Sequence, residues 1–163
     1  MKHLLVHSRK SVMKQKRQRG AVAVELALVS PVLIITVLGI AQYGWLFANS
    51  MMVASAASAA AQNFAFQRGT STPFTSTQTQ MTSSSTLLKS QNLTLSTEIV
   101  DTQGNATTCN SDSTCSQALT NASGQAAYVT VTYTFTPLLQ GSLYGFTAAM
   151  PSTLSTTVAD RVQ

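Results

Sequence analysis

Glu25 stands alone at the head of a long uncharged run, five residues after Gly20 in Arg19-Gly20-Ala21-Val22-Ala23-Val24-Glu25. A carboxylate at the centre of a bilayer costs about 2.5–3.5 kcal/mol on insertion scales, so an acid beside a membrane span calls for a partner. Proteolysis after Gly20 supplies one, because it leaves a free α-amine on Ala21. Ala21 and Glu25 are i and i+4 and share a helix face. The new ammonium then neutralises the carboxylate, within the chain or on a neighbouring subunit.

The other reactive residue types are sparse. Cys109 and Cys115, with five residues between them, lie in the polar stretch Asn105–Cys115. In an extracytoplasmic domain that spacing reads as a disulfide closing a small loop. A metal site needs more ligands, and both histidines, His3 and His7, fall in a basic N-terminal leader. Beyond that leader the chain has no histidine and five acids. A Ser-His-Asp triad is thereby excluded, and Lys89 is the one lysine left for a Ser–Lys pair. Glu98 and Asp101 read as a solvated turn at a strand end. Asp112 reads as loop solvation rather than a calcium ligand. The sequons at Asn92, Asn105 and Asn121 are expected by chance in a Ser/Thr-rich chain. The chain is read as non-enzymatic, with no cofactor, no metal and no small-molecule substrate.

The elements that must position Gly20 and Glu25 follow from charge and hydropathy. The chain has 163 residues and net charge +5, and residues 1–20 hold seven of its ten Lys/Arg and no acid. The remainder carries three basic and five acidic residues, so no basic face for nucleic acid is expected. Leu26–Ala48 is 23 residues without charge. At a rise of about 1.5 Å per residue, such a helix spans roughly 34 Å, enough for a hydrocarbon core of about 30 Å. The uncharged run continues to Gln67 through the Ala-rich stretch Ala54–Ala61, so one helix is expected from about Val22 to Gln67. Pro31 is a candidate kink, and Arg68-Gly69 a candidate stop.

From Thr70 onward 36 of 94 residues are Ser or Thr, which also fits a disordered stalk. Three patches argue against that. Leu93–Val100 places Leu93, Leu95 and Ile99 on one face, and Tyr128–Thr136 alternates strictly between Val129, Val131, Tyr133, Phe135 and threonines. Leu154–Val158 offers a third strand. Gln78–Ser90, with Met81, Leu87 and Leu88, fits a short helix packing on the sheet. The fold class expected is α+β: a long N-terminal transmembrane helix, then a small antiparallel β-sheet domain with a short packing helix. The expected divisions are a cleaved leader over 1–20, the helix over 21–69 and a periplasmic domain over 70–163.

Lys/Arg stay on the cytoplasmic side of a span, so residues 70–163 are expected to face out. An ordinary secretory signal fits poorly, since its small-x-small motifs at Ala54-Ser55-Ala56 and Ala57-Ser58-Ala59 lie far beyond Ala41, where the most apolar stretch ends. A plain uncleaved anchor gives Glu25 no purpose. Tyr43, Trp45 and Phe47 read as an interfacial belt. They also fit a subunit contact, with Ala54, Ser58 and Ala61 as the small-residue face.

The segment from Arg19 to Ala65 resembles a class III, prepilin-type signal, and more closely the N-terminal segment of the TadE-like family of the tight-adherence pilus system. Gly20, Glu25, Pro31, the Gln42–Phe47 segment and Ala54–Ala61 match that pattern in order. A strand ending in Thr134-Phe135-Thr136-Pro137-Leu138-Leu139 is also common there. Position 26 is Leu, where the family usually carries an aromatic. The resemblance implies a minor pilin-like subunit of the bacterial inner membrane. Its leader would be cut between Gly20 and Ala21 by a prepilin peptidase. Its partners would be other pilin-like subunits and the pilus assembly machinery. The other reading is a permanently anchored, unprocessed envelope module acting as an adhesin or sensor.

Overall fold

The computed structural model describes residues 7–101, 103–139 and 150–163, with side chains from Gly20 onward. His3 and the basic side chains of the leader lie outside the described residues. Two units are present, Met1–Tyr43 and Gly44–Gln163.

Helix α1 runs from His7 to Ala65, passing through Pro31. It starts earlier than the expected Val22, because residues 7–19 are rich in the helix formers Lys, Arg and Gln, with neither proline nor glycine before Gly20 to stop it. In the first unit it is exposed along its apolar length: Val22, Leu26, Leu28, Val32, Leu33, Val37 and Ile40 each leave more than half their surface uncovered. An apolar surface exposed in this way is not covered by the helix's own fold. Residues Gly20–Ala65 form a candidate membrane span, consistent with a single-pass membrane protein.

In the second unit α1 changes character. Val53, Ala56, Ala57, Ala60, Ala61 and Phe64 are buried at i, i+3, i+4, i+7, i+8 and i+11, one helix face. Alanine there lets the helix backbone sit close to the core. This corrects the reading of Ala61 as part of a face for a second helix, since it is covered by its own domain. Regular helix ends at Ala65, three residues before the expected stop. The chain then leaves through turns in which Gln67 N–H bonds Phe64 O and Thr70 N–H bonds Gln67 O, with Gly69 at φ +81°. Arg68 donates to Ser123 Oγ (2.9 Å) instead of closing the helix end. The Ala65 carbonyl is satisfied by Gln163 N–H at the far end of the chain.

Helix α2 (Pro73–Ser83) is followed by a 3₁₀ turn at Ser90–Asn92 and strand β1 (Leu93–Val100). Strand β2 (Ala106–Cys109), helix α3 (Asp112–Thr120), β3 (Ala126–Thr134) and β4 (Thr153–Arg161) complete the order. The sheet is antiparallel, ordered β2-β1-β3-β4. The α+β architecture expected from sequence is what the chain adopts.

Alternation explains the sheet's two faces. Val129, Val131 and Tyr133 of β3, Leu93, Thr97 and Ile99 of β1, and Phe135 just past β3 are buried. The intervening residues form a hydroxyl-rich outer face, with Thr130 Oγ1 and Thr157 Oγ1 2.8 Å apart. The short helix lies earlier than the expected Gln78–Ser90, because Pro73 is preorganised for a first helical turn. Met81 and Leu88 enter the core as expected, whereas Leu87 is 76% exposed.

Candidate functional site

Gly20, Ala21 and Glu25 all lie on α1, so the helical i, i+4 relation between Ala21 and Glu25 holds. Glu25 is exposed and forms no ion pair or hydrogen bond among the described residues. The space beside Gly20 is open, and a side chain built there would meet nothing within 4 Å. A mid-helix glycine costs about 1 kcal/mol relative to alanine. Its presence at position 20 is therefore unexplained by packing.

The apolar stretch behind Glu25 gives way near Gln42, which is buried, as is Asn49. Asn49 Nδ2 donates to the Trp45 carbonyl at 2.7 Å. Trp45 Nε1 donates to the Thr136 carbonyl at 3.4 Å, which ties the helix to the segment leaving β3. Trp45 is 40% exposed, against 53% for Tyr43 and 63% for Phe47, so all three rings face outward at least in part.

Cys109 and Cys115 are joined by a disulfide, with both residues buried. The expected polar loop is corrected: Cys109 ends β2 and Cys115 lies inside α3. Sequence reasoning also missed Thr97, fully buried on β1. Its hydroxyl donates to the Cys109 carbonyl and lies 3.2 Å from Cys109 Sγ. The signal was available, since the alternation that turns Leu93, Leu95 and Ile99 inward turns Thr97 inward too.

Asp101 builds the β1–β2 turn, consistent with the solvated-turn reading. Its Oδ1 accepts from Gln103 N–H and Asn105 N–H at 2.8 Å each, and Oδ2 from Asn105 Nδ2 at 2.9 Å. The Asn105 side-chain and backbone bonds hold its carboxyl below the usual carboxylate range. Asp112 is more than a solvated loop acid, for it lies in the first turn of α3 and reaches Thr75 of α2. No group of His, Cys, Asp and Glu able to hold a metal occurs among the described residues.

Residues 20–62 match the family model described as TadE-like protein, a match that begins at Gly20 and takes in Glu25, Pro31 and the alanine-rich stretch. Over that segment the chain is similar to TadE-like proteins. No curated protein and no solved structure shows significant similarity to the chain. The TadE-like family is pilus-associated and structural rather than enzymatic. The matched segment comprises the exposed apolar helix and most of the alanine face buried in the second unit.

Proposed function

We propose that this protein is a minor pilin-like subunit of the bacterial inner membrane that takes part in assembly or initiation of a tight-adherence pilus. A prepilin peptidase removes residues 1–20, leaving a mature chain that begins at Ala21. The observation that carries this reading is Glu25, a lone carboxylate on an exposed apolar helix, one helical turn from Ala21. Gly20 supports it. Nothing in the fold requires glycine there, whereas a protease that must unwind a helix and reach the scissile bond benefits from one.

The Ala21 ammonium and the Glu25 carboxylate would cancel each other's charge in the membrane, and across subunits the same pairing would set the register between helices. The second unit would lie in the periplasm. Its buried disulfide supports that side, because such bonds persist in oxidising compartments. At 143 residues after removal of 20, the mature chain carries a whole domain and suits starting, capping or regulating a fibre better than forming its bulk.

The deciding experiment is intact-mass and N-terminal analysis of the protein extracted from native membranes with an active prepilin peptidase. A chain beginning at Ala21 supports the proposal. A chain beginning at Met1 overturns it in favour of a permanently anchored envelope module.

A further inference from the structure

An open groove of about 460 Å³ lies between the β1–β2 hairpin and α3, within the range typical of small-ligand sites. The Cys109–Cys115 disulfide joins β2 to α3 and so holds the two walls together. Ile99, Ala118 and Ala122 give it an apolar floor. Along one edge run Thr114, Gln117 and Asn121, spaced as one face of α3 and its extension. The Gln117 and Asn121 amides and the Thr107 hydroxyl on the opposite wall make no side-chain hydrogen bond among the described residues.

Among the described residues the rim has one charge, Asp101, whose Oδ2 accepts a single hydrogen bond and keeps a lone pair for another. No Lys, Arg or His among the described residues lines the groove, so an anion would meet a carboxylate with no cation to offset it. A planar carboxamide presents a donor and an acceptor side by side, which matches two adjacent hydroxyls that each donate and accept. We propose that this groove binds a neutral sugar, its vicinal hydroxyls held by the Gln117 and Asn121 amides and by Thr107, with Asp101 accepting a hydroxyl hydrogen. Among the described residues no aromatic lines the groove to stack on the ring, so binding is weak, with Kd on the order of millimolar. The inference does not depend on the pilus reading.

The test is saturation-transfer NMR on the full chain in lipid nanodiscs, which keeps sugar-headed detergents out. The probes are D-glucose, D-galactose, D-mannose and D-glucuronate. Saturable binding of at least one neutral hexose is expected, with glucuronate weaker. The double variant Gln117→Ala/Asn121→Ala should lose affinity by about tenfold or more. Both positions are exposed; Gln117→Leu, which keeps the bulk and removes the amide, is read in parallel should the double variant misfold. Absence of saturable binding by all three hexoses, unchanged affinity in the amide variants, or preference for glucuronate overturns the assignment.

Discussion

Asp112 at the start of α3 accepts two hydrogen bonds from Thr75 of α2, from the backbone N–H to Oδ1 at 2.9 Å and from the hydroxyl to Oδ2 at 2.6 Å. Thr72, the residue at the cap position of α2, makes no side-chain capping bond of its own. One carboxylate therefore serves two helix N-termini, and it does so across 37 residues of sequence.

This pairing makes domain stability acid-sensitive. The Thr75 hydroxyl first, and the Thr75 N–H second, lower the Asp112 pKa. A group depressed in the folded state adds stability above its unfolded pKa, near 4, and loses it as pH falls through the folded value. Asp112→Asn is expected to lower the thermal midpoint at pH 6. The gap to wild type should close by pH 2, as followed by circular dichroism. A gap that widens in acid would contradict the assigned sign.

Thr97→Val keeps the shape of a buried side chain and removes the hydroxyl that bonds the Cys109 carbonyl. A loss of about 1–2 kcal/mol in denaturant unfolding is expected, since a buried acceptor is left without that donor. Thr97→Ser retains the hydroxyl and separates this effect from loss of the methyl group. Equal stability of the Val variant and wild type would remove Thr97 from the account of the disulfide region.

Ala57 is fully buried on the face of α1 that meets the core, whereas Ser55 is exposed. Ala57→Leu should destabilise the domain by about 1–3 kcal/mol through overpacking. Ser55→Leu should leave unfolding within about 0.5 kcal/mol of wild type. Comparable effects at the two sites would mean that the helix face is wrongly assigned.

Gly20→Val tests processing apart from folding, because a side chain at position 20 meets nothing within 4 Å. The variant is expected to fold and insert normally yet keep its leader. On a gel it would run as the uncut species in cells that process wild type fully. Normal processing would count against cleavage after Gly20.

Glu25→Ala separates cutting from assembly. Cleavage should remain largely intact, since the scissile bond is untouched, while piliation falls. Wild-type piliation by electron microscopy would refute the amine–carboxylate pairing.

The strands show how far local pattern reaches. Val129, Val131 and Tyr133 announce an inward face by alternation alone, and the structure buries all three. β2 and α3 were not legible in the same way. Ala106-Thr107-Thr108-Cys109 is too short to show a period, and its strand state comes from pairing with Thr97–Val100. α3 had local signals in Ser111 at the cap and Asp112 in the first turn, but a Ser/Asn-rich surrounding masked them.

What the sequence determined by itself is whatever a short window of chain can hold: an uncharged span long enough for a bilayer, a basic leader, a glycine and a glutamate in helical spacing, and strands of period two. The tertiary structure decided what depends on contact between distant windows. It buried Ala61 in its own domain, joined Trp45 to the Thr136 carbonyl, brought Asp112 of α3 to the first turn of α2, and placed Thr97 against the disulfide. The reason is physical. Hydropathy and helix spacing are properties of neighbouring residues, whereas burial and hydrogen-bond partnership exist only once remote segments meet.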